Sequence, residues 1–192
     1  MLRLKMKHFA LLSSVLCAAA AQAANFEITP AIQAELDRQK AVITTWAAEP
    51  MVVQSVLEQN SKGPIAGMDN TKWKTLRRSD PEVKAFQSNP AGQFLKEKVT
   101  GSGEMFNEAF LSAAQGEKVA FVEKTTSYLH KGQPKFEIPF TAGTPWQGKA
   151  EFDESSQVYA IQISVPVIAE GKPVGALVIG VNLTHLEKLA KQ

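Results

Sequence analysis

Cysteine is all but missing from this sequence: its 192 residues contain one, Cys17, inside an N-terminal stretch with the marks of a leader. A chain that loses that stretch has no disulfide, no thiolate nucleophile and no cysteine metal ligand. Histidine is scarce as well, with only His8, His130 and His185. With no HExxH, no GxSxG and no paired-carboxylate spacing of note, the motifs that usually carry catalysis are lacking. No arginine follows Arg78, so the second half lacks the planar fork that grips carboxylates in two places at once. Beyond the leader, no run reaches the roughly 18 to 20 uninterrupted apolar residues that a membrane helix needs.

What is present begins with the leader itself. Arg3, Lys5 and Lys7 form a basic start, Phe9 to Ala20 is an apolar stretch, and Ala21-Gln22-Ala23 is a small-x-small cleavage pattern. Residues 1–23 therefore read as a secretory signal peptide, removed near Ala23. Leu16 stands before Cys17, which argues against a lipid-anchored start. Removing three basic residues takes Lys and Arg from 21 to 18 against 19 Asp and Glu, a formal charge of −1. The slight basicity of the full chain belongs to the leader, and no nucleic-acid footprint remains. The expected location is the periplasm of a bacterium.

The mature sequence, 24–192, reads as one domain. Its centre is the stretch QVYAIQISVPVIAEGKPVGALVIGVN, residues 157–182. Two apolar runs flank a turn at Ala169-Glu170-Gly171-Lys172-Pro173, the pattern of paired antiparallel strands. The first run interleaves Ile161, Ile163, Val165 and Val167 with Tyr159, Gln162, Ser164 and Pro166, giving an apolar and a polar face. The second is apolar on both faces, as in a strand covered on both sides. Upstream, 29–100 is helical. Thr29-Pro30 opens a long helix whose stripe is Ile32, Leu36, Ile43, Trp46, Val53 and Leu57 and which Pro50 bends or splits before its end near Asn60. Asp80-Pro81 starts further short helices, reset at Asn89-Pro90, after a connector from Gly63 to Arg78. The sheet part, 104–182, adds strands at Phe106–Ser112, Lys118–Lys124 and Lys149–Asp153, with an irregular aromatic loop from Thr125 to Gly148 holding a helical turn near Pro134 to Phe140. A helix at 183–190 closes the chain. Helices preceding a sheet of consecutive strands give an α+β class.

The segment FDESSQVYAIQISVPVIAEGKPVGALVIGVNL resembles the C-terminal half of the extracytoplasmic PAS-like sensor domains called Cache or PDC domains. SDPEVKAFQSNPAGQFLKEKV is similar to the helical segment that precedes their sheet. The resemblance implies a PAS-like five-stranded antiparallel sheet packed by a long N-terminal helix and short flanking helices. It also implies a small metabolite bound between the sheet and its covering loop. Members of this family usually sit between membrane helices and feed an output domain, neither of which this sequence shows.

On that pattern the ligand site is expected at Tyr128, Lys135, Phe136, Trp146, Phe152, Asp153, Tyr159, Gln162 and Ser164. Rings supply apolar burial at low entropic cost, while an amide, hydroxyls, an ammonium and a carboxylate set orientation. The same rings also serve as plain core, and Asp153 as plain turn chemistry. With the arginine fork missing, an anionic ligand and an amine or neutral one are equal hypotheses. Neither a cofactor nor a metal is called for.

Three functions follow. The first is a periplasmic small-molecule sensor that signals through a separate membrane receptor, kinase or cyclase, dimerising through the long helix. The second is an enzyme, for which His130 is the one acid–base candidate; the motif census weighs against it. The third is a docking module that uses the sheet as a protein-interaction surface without a ligand.

Overall fold

The computed structural model describes residues 26–154 and 157–190. The signal-peptide assignment lies outside these residues.

The long N-terminal helix is two helices, α1 (Pro30–Ala47) and α2 (Pro50–Lys62). Thr29 caps the first, its hydroxyl accepting from the Ile32 N–H at 3.3 Å. Pro50 disfavours helical geometry in the residue before it, and Glu49 is extended at φ −59°, ψ 131°. The break resets the helical phase. Ile32, Leu36, Ile43 and Trp46 are buried as the stripe requires, but the buried residues of α2 are Val52 and Val56. The sequence stripe ran on to Val53 and Leu57; Leu57 is 39% exposed.

A short helix, α3 (Asn70–Thr75), occupies the connector that the sequence left irregular. Asp69 caps it, accepting from the Lys72 N–H at 2.7 Å, and it buries Trp73 completely. Two more helices follow, α4 (Pro81–Ser88) and α5 (Pro90–Thr100), separated where Asn89 caps the second by accepting from Gly92 N–H.

The sheet contains β1 (Phe106–Ala113), β2 (Lys118–Phe121), β3 (Trp146–Gln147), β4 (Glu151–Asp153), β5 (Val158–Ala169) and β6 (Lys172–Asn182). All pairings are antiparallel, in the order β2-β1-β6-β5-β3, with β4 also on β5. Six strands replace the expected five because the segment before β5 pairs with it twice, as β3 and again as β4. Between β2 and β3 lie α6 (Pro134–Glu137) and one π-helical turn, Ile138–Ala142. The closing helix is α7 (Leu183–Ala190).

β5 and β6 meet in a two-residue turn, Glu170-Gly171, with both φ positive at 50° and 74°. That geometry matches the twist of the strands it joins. Register then sorts the side chains. Ile161, Ile163, Val165 and Val167 join Leu177, Ile179, Val181, Ala109 and Leu111 on one face, in a core shared with α1, α2 and α5. A second cluster lies on the opposite face, where Trp73 and Phe86 from α3 and α4 pack on Phe110, Phe121, Val178 and Tyr128. Central β6 is buried throughout its second half, as expected for a strand covered on both sides.

Gly175 lets α2 approach β6. A Cβ there would collide with the Ser112 carbonyl oxygen and lie 2.8 Å from Val56 Cγ1. Gly175→Ala is expected to lower stability by about 1–3 kcal/mol in urea titrations. Gly171→Asn, at a positive φ with nothing within 4 Å, should cost under about 1 kcal/mol. Equal costs at the two positions would contradict the packing described.

Candidate functional site

The second face of the sheet is a grid set by strand register. One row runs Glu108–Gly180–Gln162, the next Phe121–Phe110–Val178–Ser164–Trp146, and the next Lys118–Ser112–Ala176–Pro166. Residues paired across an antiparallel ladder share a face, so these side chains all point away from α1 and α2. The row of Phe110 closes against Trp73 and its neighbours. The row of Glu108 opens into a cleft of about 780 Å³ whose floor includes Glu108, Phe110, Gly180 and Gln162. Its walls come from residues 123–127 and from His130, Lys135, Trp146 and the 148–154 segment. Gly180 keeps the floor low, since a Cβ there would meet the Asn107 side chain and Glu108 Cβ.

A polar chain crosses this floor. Lys135 Nζ donates to Gln162 Oε1 at 2.8 Å, and Gln162 Nε2 donates to Glu108 Oε2 at 2.7 Å. The amide is thereby fixed between an ammonium and a carboxylate, which assigns its donor and acceptor ends. Beneath it the Phe110 ring carries Lys118 Nζ at 3.1 Å from its centroid and the His130 ring at 4.7 Å.

The covering loop is anchored from a distance. Asn70 of α3 accepts from the Tyr128 and Leu129 N–H groups, both at 2.8 Å, and donates to the Leu129 carbonyl at 3.0 Å. Trp73 Nε1 donates to the Thr125 carbonyl at 2.8 Å, and Tyr128 Oη accepts from Ile65 N–H at 2.9 Å. Gly116, at φ 80°, lies against the backbone of Lys131, and its carbonyl accepts from His130 N–H at 2.7 Å. The turn between β1 and β2 thus seats His130.

Of the nine residues expected from sequence, Lys135, Trp146, Asp153 and Gln162 line the cleft; Phe152 borders it, but it pairs with Tyr159 and its ring meets that residue's at 5.2 Å. Ser164 shares the cleft face but is fully buried between Val178 and Trp146 in its row. Tyr128 is a core residue of the Trp73 cluster, not a cleft wall. Phe136 is buried and stacked on Phe140, their ring centroids 5.1 Å apart. Tyr159 departs most clearly. As an odd-numbered position of β5 it points to the helical side, where its ring meets Phe26 at 5.3 Å. Strand parity overrides its polar character.

Sequence reasoning passed over Glu108, Ser112 and Lys118, and it considered His130 only as a catalyst. Glu108 and Ser112 were open to discovery, since they alternate with Ala109, Leu111 and Ala113 along β1. Lys118 carries no such signal, because a lysine beside a turn is ordinarily solvated.

Burial sets the electrostatics. It pushes the Lys118 ammonium well below the ordinary lysine range; Glu108 pulls the other way and Lys135 adds to the fall. Burial, then Lys118 and Lys135, take His130 down to about 2, with the Gly116 backbone opposing. His130 is therefore a neutral imidazole at any physiological pH, unsuited to shuttle protons there. Burial also pushes the Tyr128 hydroxyl up. Among the described residues, no group of three His, Cys, Asp or Glu is placed to hold a metal ion.

Among solved structures, the sensor domain of the V. cholerae histidine kinase DctB is similar to this chain, with a TM-score of 0.54 at 16% identity. The match covers 84% of this chain and 54% of that one. This chain shares its fold with that domain. The E. coli DcuS sensor domain gives a TM-score of 0.47 at 12% identity, over 83% of this chain and 98% of its own. The ligand-binding domain of the P. fluorescens chemoreceptor CtaA, solved with L-leucine, gives 0.45 at 15% identity, over 81% and 53%. This chain thus spans about half the length of the DctB and CtaA domains. No family model matches the sequence, and no curated protein sequence matches it.

The buried neutral imidazole has a consequence for stability. An unfolded chain protonates His130 near the ordinary 6.5, whereas the folded one holds it neutral down to about 2. Stability must then fall as pH drops below 6.5, by about 2 kcal/mol at pH 5 from this group. Urea titrations at pH 7.5, 6 and 5 should show this loss, and His130→Gln should remove it. An unchanged slope in the variant would contradict the assignment.

Proposed function

We propose that this chain is a periplasmic sensor module that binds a small metabolite and reports its state to a separate membrane receptor, kinase or cyclase. The observation that carries the proposal is the cleft: a bounded space of about 780 Å³ on the sheet face, with Lys135, Gln162 and Glu108 converging on its floor and Trp146 in its wall. Small-molecule sites have this make-up, an enclosed volume of roughly 300–1,000 Å³ with a few fixed polar groups that orient the ligand. The fold shared with a kinase sensor domain supports the same reading.

The proposed function is non-enzymatic, since the one histidine at the cleft is neutral and pinned beneath it. A docking module without a ligand would be better served by a face filled with its own side chains, which this face is not. Among the described residues no helix is long and apolar enough to cross a membrane. Export through the leader and pairing of two copies along α1 complete the proposal.

A thermal-shift screen against amino acids, organic acids, amines, purines and sugars tests it. A binder at one hundred times its dissociation constant adds about 2.7 kcal/mol. The shift should vanish in Trp146→Ala and Gln162→Ala while both variants stay folded. Full retention of the shift in both would move the site elsewhere. In cell fractionation the protein should appear in the periplasm with Ala24 at its N-terminus; a retained leader would contradict export.

A further inference from the structure

One lysine lies where lysines are rarely found. Lys118 is 0% exposed, and its Nζ has no hydrogen-bond partner. An ammonium buried without a partner carries a heavy desolvation cost, and interiors seldom keep one. Lys118 pairs with Ser112 across the ladder of β1 and β2, and its side chain lies over Phe110, with Nζ 3.1 Å from the ring centroid. The face of that ring is a weak acceptor for an amine and a better one for an ammonium.

The charged and titratable groups around it are few. Glu108 of β1 attracts Lys118, and Lys135 of α6 repels it. His130 of the covering loop, its ring 4.7 Å from that of Phe110, stays neutral at physiological pH. Other carboxylates nearby are engaged elsewhere. Glu117 accepts from Gln115 N–H at 3.0 Å and acts on Tyr128, and Glu137 accepts from Gly132 N–H at 2.6 Å. Glu108 accepts from Gln162 Nε2 at 2.7 Å. It therefore stands between two claimants in the strand order, with Lys118 of β2 on one side and Gln162 of β5, beyond β6, on the other.

We propose that Glu108 is a charge switch with two positions: while Lys118 is a free amine the carboxylate holds the Gln162 amide, and when Lys118 takes a proton from solvent the carboxylate turns to the ammonium and frees Gln162 Nε2. Lys135 stays on Gln162 Oε1, so the amide keeps its orientation and presents an unpaired donor to the cleft. Burial holds Lys118 uncharged well below the ordinary lysine range, which moves the change toward neutral pH. An unfolded chain keeps this lysine charged up to the ordinary range. Within that window folding sheds a proton, and stability falls as pH drops through it. As regulation of the ligand site the switch rests on the sensor reading, but it needs no ligand to operate and none to be tested.

The test is nuclear magnetic resonance of the folded chain between about pH 5.5 and 10, following the Lys118 side-chain nitrogen and the Gln162 side-chain amide. Both should move with one midpoint, below the ordinary lysine range. Lys118→Met should leave the Gln162 amide flat, and at pH 7 should melt at least about 2–4 °C above wild type, a gap that closes toward high pH. Glu108→Gln should lower the Lys118 midpoint further and abolish the coupled movement, and it serves alone should Lys118→Met fail to fold. His130→Gln should preserve the coupling. A lysine that is merely buried would titrate without moving Gln162, and that result overturns the switch. So does a Lys118 midpoint in the ordinary range or outside the window, or a Gln162 movement that survives Lys118→Met. Each of these outcomes leaves the sensor function standing, because that reading fails only in the ligand screen.

Discussion

The pairing of β5 with β6 is the constraint from which the rest of the structure follows. A two-residue turn with two positive φ values fixes its register, and register in a sheet decides the face of every side chain. Once Ile163 and Val165 face α1 and α2, Gln162 and Ser164 must face the cleft. Slipping the pair by one residue would bury Gln162 under the helices and expose the isoleucines. Fold and site are thus one decision made at Glu170-Gly171.

The architecture has two unequal covers. The face toward α1, α2 and α5 is sealed by aliphatic packing. The opposite face is sealed only where Trp73, Phe86 and Tyr128 close over Phe110 and Phe121. Beyond that aromatic plug the sheet is open, and the polar chain from Lys135 through Gln162 to Glu108 occupies the boundary. Asn70 and Trp73 tie the covering loop to α3, so the loop's position depends on a helix some 55 residues upstream.

Much of this was legible in the sequence where periodicity spoke for several residues together. The paired strands, the capped helix starts at Thr29 and Asn89, and the break at Pro50 all carry local chemistry that fixes them. The resemblance to Cache domains rested on the same stretch and agrees with the fold. Errors arose where chemical character was allowed to outvote geometry. The hydroxyl of Tyr159 suggests the company of Gln162 and Ser164, although its parity along β5 places it with Ile161. The rings of Tyr128 and Phe136 suit a cleft wall by chemistry, yet both are core. Lys118 escaped notice for the opposite reason: a lysine's burial is decided by strands and loops far from it in sequence. The helix α3 was missed because Trp73 is its one buried apolar residue, too little for a stripe.

The central claim is that the open part of this sheet face, and not the helical side, is where a metabolite binds. The most direct measurement is a crystal structure grown with the compound that most stabilises the protein. Electron density for that compound between Gln162, Lys135 and Trp146 is the predicted result. The same compound bound on the helical side or at the outer surface, with the cleft lined only by solvent, would contradict it.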